Sequence, residues 1–565
     1  MRFRPRKIPL CVAVLFAASA MTGSGARAQQ PAEAAPSAAP TATQVRPEEL
    51  ANRCSADRQP APTKSPSWAT WGRDLSNSRF QLGWQAEISA AEVPNLKLKW
   101  AFGIPNVKIV RSQPAEYRGR VFVGGNDGTL YSLEAATGCT FWATTVSKPI
   151  RSGIAINNSP DSVDDESIFF GDAGGSVYSI DFATGKLLWA VRADDHPNAT
   201  ITGTPLPAGR RLLVPVSSGE EGARRRAEYE CCTFRGSVVA LDSASGQKIW
   251  QSYMATDPPA PVGRIKDGHN VFAPSGMAIW SAPTIGAEKS GKLRVYVGTG
   301  DNYSDPPTKT SDAVVALDFD TGKILWSRQF DKDEVYKIDC GDPPREGCLP
   351  PTNPEFDLGA SPILVELPSG QHDKHPRRAL ILGQKSGLIY AVDPDADGKL
   401  LWHARAGAGG LLGGVQWGPA TDGANVYVAV SDLAFQGRAL DPTKGGGIVA
   451  YRLSDGAQIW KTPPPGCGDR RPCSPAQSQA VTAIPGSVFS GSIDGHLRAY
   501  DTRDGKIIWD FDTAREFVTV NNVAAKGGSL DVGGPIVAGG MMFVVSGYPG
   551  FAAMPGNVLL AFAAK

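Results

Sequence analysis

Two adjacent cysteines, Cys231 and Cys232, are the most unusual chemical feature of the chain. A disulfide between neighbours closes a tight ring that strains the intervening peptide, a cost tolerated mainly at functional sites. The alternative is that each bonds a separate partner. Just upstream, Ser217-Ser218-Gly219-Glu220-Glu221 brings two carboxylates together, and Asp301-Asn302 pairs a carboxylate with an amide. Such oxygens suit a hard divalent cation, which needs several of them, although Asp301 and Asn302 also suit a turn. Asp357 and Lys385, an acid and a cation 28 residues apart, each read singly as a surface residue. Trp417 in GGVQWGP and Arg151 in IRSG stand where an inner strand would begin, an aromatic face and a carboxylate partner.

What must position these residues is a repeat. One pattern recurs in YSLEAATGCTFW (131–142), YSIDFATGKLLW (178–189), VALDSASGQKIW (239–250) and VALDFDTGKILW (315–326). It continues in YAVDPDADGKLLW (390–402), VAYRLSDGAQIW (449–460) and RAYDTRDGKIIW (498–509). A strand ends near Asp, a tight turn follows in which Gly supplies φ > 0, and a second strand ends in Trp. Upstream of most copies lies a strand such as RVFVGGNDGTL or SIFFGDAGGSV, and before it another such as TGTPLPA or WSAPTIG. Each unit is therefore a four-stranded propeller blade. The repeating Trp, large and flat, packs between neighbouring blades.

The steps between successive Trp, from Trp142 to Trp509, are 47, 61, 76, 76, 58 and 49 residues. A bare blade needs about 40–50, so the middle blades carry insertions, and insertions on one face usually build the binding face. NLKLKW, ending at Trp100, has the last half of the unit, and NVLLAFAAK (557–565) has the first half. Together they make an eighth unit that closes the ring and removes its edges. The prediction is an all-β, eight-bladed propeller over residues 67–565.

Composition fits. With 57 basic and 56 acidic residues there is no electrostatic footprint for nucleic acid or an anionic membrane. Arg2, Arg4, Arg6 and Lys7, an apolar run from Ile8 to about Ala20, and Ala26-Arg27-Ala28 predict a signal peptide over 1–28 and Sec export to the periplasm. The apolar run is well short of the ~20 residues of a spanning helix, and no other stretch would span. Residues 29–66, rich in Ala, Pro, Gln, Ser and Thr, are expected to be a flexible linker. Past Cys11, eight cysteines remain, and an oxidising compartment favours disulfides. Proximity suggests Cys340–Cys348 and Cys467–Cys473; pairing of the adjacent cysteines would leave Cys54 with Cys139.

These motifs, over nearly all of 67–565, resemble the repeats of dehydrogenases that depend on pyrroloquinoline quinone. WATWGRDLSNSRFQ, YECCTFRGSVVALD, AKGG and SGYPGFAAMPGNVLLAF are most similar to the polyvinyl-alcohol dehydrogenase branch. The resemblance implies pyrroloquinoline quinone and Ca²⁺ as cofactors and an alcohol or polymer as substrate. Glu221 matches the family's metal-ligating Glu in Ser-Ser-Gly-x-Glu, with Ser218 beside the cofactor; Asp301 holds the position of its ligand Asn and Asn302 follows, either able to supply an oxygen. Asp357 in EFDLGASP is implied as general base, and Lys385 in GQKSGLIY as the cation on the quinone carbonyls. Cys231–Cys232 resembles the vicinal disulfide that lies against the quinone. Arg151 and Trp417 are further cofactor contacts, whereas Trp280, in APSGMAIWSAP, falls a few residues late for the family's stacking Trp and reads as structural. Branch members often carry an N-terminal haem-c domain. No Cys-x-x-Cys-His occurs in this sequence, so a separate soluble cytochrome c is the expected electron acceptor. Two other readings stand beside this one: a non-enzymatic propeller scaffold of the outer-membrane assembly-factor type, and a quinoprotein acting on small alcohols or sugars.

Overall fold

The computed structural model describes residues 39–564, apart from 60, 63–64, 158–165, 227–228, 265–267, 289, 337–354 and 369–376. The predicted signal segment and the Cys340–Cys348 pairing lie outside the described residues. Among the described residues, eight antiparallel sheets of four or five strands follow one another along the chain, numbered blades 1 to 8 in that order, with three two-stranded sheets in their connections. In blade 2, Ala155–Ile156, Ser167–Gly171, Ser176–Asp181 and Leu187–Arg192 pair each with the next. The same succession forms blade 1 (115–146), blade 3 (206–253), blade 4 (284–329), blade 5 (363–405), blade 6 (420–462) and blade 7 (482–512). Blade 8 takes three strands from residues 536–563 and its outermost, Lys97–Gly103, from near the other end, in register from Lys97↔Ala563 to Gly103↔Val558.

The repeat explains the seams. In each copy the turn glycine is left-handed: Gly138, Gly185, Gly246, Gly322, Gly398, Gly456 and Gly505 have φ between 72° and 76°. A side chain there would collide with the Trp of the preceding blade, since a Cβ on each would lie 2.5–2.9 Å from Trp100, Trp142, Trp189, Trp250, Trp326, Trp402 and Trp460 in turn. The indole N–H crosses the same seam. Trp142 donates to Phe182 O at 3.1 Å, Trp189 to Ser243 O at 3.0 Å and Trp402 to Leu453 O at 2.8 Å. Trp509 closes the circle by donating to Leu96 O at 3.0 Å. Every outer hairpin slips register just before its Trp, a bulge that re-aims the ring toward the next blade.

One segment binds the inner strands together. Along residues 68–81 the backbone exchanges hydrogen bonds with Glu116, Ile156, Ile285, Leu364, Thr421 and Ala483, which belong to blades 1, 2, 4, 5, 6 and 7. The Gln81 amide adds Val537 O of blade 8. Arg79 is fully buried here, donating to Trp71 O, Val481 O, Gln113 Oε1 and Thr482 Oγ1, and burial lowers its pKa to about 9.

The stretch expected to be a flexible linker departs from that expectation in part. Ala42–Gln44 adds a fifth strand to blade 1, antiparallel to Thr144–Val146, and Cys54 is bonded to Cys139. Composition misled because the outer edge of blade 1 offers unpaired backbone groups that even a polar strand can satisfy. Cys467–Cys473 is also bonded.

Candidate active site

Blades 3, 4 and 5 send their long connections to one cavity of about 350 Å³. Arg151, Ser218, Glu221, Asp301, Asp357, Lys385 and Trp417, all singled out from sequence, line it. Its centre is a charge cluster. Lys385 Nζ donates to Asp357 Oδ2 at 2.9 Å and to Glu355 Oε1, with all three side chains buried. Asp357 is held from two further sides: the Asp301 N–H donates to Oδ1 and the Trp280 indole N–H to Oδ2, both at 3.1 Å. Burial alone would lower the Lys385 pKa, but Asp357 and Glu355 hold it well above the usual lysine range.

The adjacent glutamates diverge. Glu220 turns inward, where it accepts from Thr233 N–H at 2.9 Å, Phe234 N–H at 2.8 Å and the Tyr229 hydroxyl at 2.8 Å. Glu221 faces the cavity. Ser218 Oγ accepts the Glu220 N–H at 2.8 Å and so shapes the turn that separates them. Burial, and then the Asp357 carboxylate, raise Glu221; burial, Asp357 and Glu221 raise Asp301 well above the ordinary carboxylate range. Asp301 Oδ2 is buried with no hydrogen-bond partner. The cavity gathers the carboxylates of Glu221, Asp301, Glu355 and Asp357 with the cations Lys385, Arg225 and Arg151. Among the described residues no three acidic, histidine or cysteine side chains are already gathered to hold a metal ion, but an orphaned carboxylate oxygen within that negative charge is the kind of donor a divalent cation takes.

Three expectations are corrected. Asn302 does not line the cavity: its amide donates to Ser311 Oγ at 2.6 Å and Glu334 O at 2.8 Å, and its Oδ1 accepts the Thr308 N–H at 3.0 Å. Its donors and acceptor are engaged by Ser311, Glu334 and Thr308 instead. Cys231 and Cys232 are bonded to each other but are not among the lining residues. They pack in the buried cluster that includes Ala278 and Tyr303, whose own side chains line the cavity. Trp280, read as structural, lines the cavity and meets Trp417 edge-to-face at 4.9 Å between ring centroids. Gly359, within EFDLGASP, is the signal that could have revealed it, since a Cβ there would fall inside the Trp280 ring.

Glu355, Tyr303, Tyr336 and Tyr548 were not anticipated. Glu355 had a signal in its place two residues before Asp357 in the same segment. Arg151, Trp417 and Asp531 also line the cavity; Asp531 accepts from Ser478 Oγ at 2.8 Å and is raised by burial to about 6. Among the described residues, no helix is long and apolar enough to cross a membrane.

Comparison with known proteins agrees with this architecture. The profile of the family described as outer membrane protein assembly factor BamB matches residues 81–267, 234–344, 385–473 and 444–565. The quinohemoprotein alcohol dehydrogenase ADHIIG of Pseudomonas putida HK5 shares the fold, with a TM-score of 0.64 at 17% identity over 91% of this chain and 83% of that one. A europium-containing methanol dehydrogenase superposes with a TM-score of 0.63 at 18% identity, over 89% and 99%. Polyvinylalcohol dehydrogenase of Pseudomonas sp is 40% identical over 90% of this chain and 79% of the relative. That of Sphingopyxis sp. (strain 113P3) is 37% identical over 88% and 76%. Built on the propeller repeat, the chain belongs to the polyvinylalcohol dehydrogenase family of quinoprotein alcohol dehydrogenases.

Proposed function

We propose that this protein oxidises secondary alcohols, polyvinyl alcohol among them, with pyrroloquinoline quinone and Ca²⁺, and passes the electrons to a separate cytochrome c in the periplasm. The observation that carries the reading is the junction of Lys385 with Asp357 and Glu355 in a cavity that also holds Glu221 and Asp301. Alcohol oxidation needs a base for the hydroxyl proton and a fixed cation where negative charge develops. Asp357 is aimed for the first task by three donors. Lys385, charged and immobilised, suits the second. Glu221 and Asp301 would hold the metal, and Trp280, Trp417 and Arg151 would bound a planar, carboxylate-bearing ring. The quinone, when bound, supplies the two-electron oxidant.

A scaffold of the assembly-factor type shares the repeat but has no use for a buried Lys between two carboxylates. Such a cluster is costly to bury, which favours the enzyme. The reading is tested by mixing purified protein with pyrroloquinoline quinone and Ca²⁺ and assaying secondary alcohols and polyvinyl alcohol with an artificial electron acceptor. Quinone-dependent dye reduction is expected. Its absence, together with loss of all quinone absorbance on dialysis, would sink the proposal.

A further inference from the structure

The mouth of the cavity contrasts with its floor. Asp301, Glu355, Asp357 and Lys385 are buried, whereas Leu411 and Phe551 line the same cavity while 43% and 50% exposed. They come from different parts of the ring. Leu411 lies on the connection from blade 5 to blade 6, and Phe551 between the second and third strands of blade 8.

Phe551 is held there at a cost. Its φ is 54° and that of Ala552 is 62°, two consecutive non-glycine residues in the left-handed region. The turn is anchored, with Met554 N–H donating to Ser529 Oγ and Ser529 N–H to Met554 O, both at 3.0 Å. Gly550 packs so closely under Tyr548, itself a lining residue, that a Cβ would strike the ring. A left-handed turn held by its surroundings thus sets a large apolar side chain at the cavity.

We infer that Leu411 and Phe551 determine specificity, acting as apolar jaws that hold the aliphatic chain of an alcohol while its hydroxyl reaches Asp357. The inference rests on the alcohol-oxidising reading and narrows its substrate class. A short alcohol leaves both jaws in water, and a sugar places hydroxyls against them. A long aliphatic chain, or the methylenes that alternate with the hydroxyls of polyvinyl alcohol, covers both, and each methylene removed from water strengthens the hold.

The test is calorimetric binding of 2-alkanols of increasing length to the purified protein, beside turnover of the same alcohols by the quinone-loaded protein. Affinity and kcat/KM should rise up to about fourfold per methylene, the equivalent of ~0.8 kcal/mol, until the jaws are covered. Leu411→Ala and Phe551→Ala should flatten that dependence, and Phe551→Leu should restore most of it. Wild-type affinity independent of chain length, or a dependence unchanged in Phe551→Ala, would overturn the inference. Chain-length-dependent binding without turnover would leave the jaws standing and remove the quinone reading instead.

Discussion

Trp280 donates its indole N–H to Asp357 Oδ2 at 3.1 Å, so an aromatic wall of the cavity and the candidate base are one unit. Gly359 makes room for that ring. Gly359→Ala is expected to displace Trp280, cost about 1–3 kcal/mol through overpacking, and lower activity. Thermal unfolding and tryptophan fluorescence read the two effects.

Asp357→Asn keeps the size of the side chain and removes the base. Turnover should fall on the order of 10²–10⁴-fold, while the absorbance of bound quinone persists after gel filtration. Activity at the wild-type level would place the base elsewhere.

Lys385 is the sole cation bonded to both Asp357 and Glu355 among the described residues. Lys385→Ala leaves both carboxylates buried and unpaired, a loss of about 3–5 kcal/mol. Lys385→Arg, which keeps the charge, should recover part of it in a denaturant titration.

Asp301, with its orphaned oxygen, and Glu221 predict a stabilising response to a divalent cation. Ca²⁺ at 100 times its dissociation constant should add about 2.7 kcal/mol. Chelation should reverse the gain, and Asp301→Asn should abolish most of it in differential scanning calorimetry.

Far from this site, Glu116 is buried at the inner strand of blade 1, and burial raises it to about 8. The folded protein therefore holds a proton that the unfolded chain releases near pH 4.5. Stability from this group is complete below that pH, declines as pH rises from about 4.5 to 8, and is then flat. Glu116→Gln should remove the decline, leaving the variant more stable than wild type at pH 8. Denaturant midpoints across that range check it.

The sequence by itself determined the frame. The Asp-turn-Gly-Trp unit, its seven copies and the halves at Trp100 and the C-terminus specify an eight-bladed ring, because hairpin turns and strand alternation are local rules. The candidate site residues were legible only through resemblance: Asp357 in EFDLGASP and Lys385 in GQKSGLIY, each a surface residue when read singly, match family motifs carried by that frame. Only the tertiary structure decided that Glu355 shares Lys385, and that Asn302 is bonded to Ser311, Glu334 and Thr308. Only it brought Trp280 onto Asp357 and ran residues 68–81 past the inner strands. The physical reason is distance along the chain. Those contacts join connections from different blades, whose meeting is set by the closure of the ring and the packing of its centre, and no local pattern of residues encodes either.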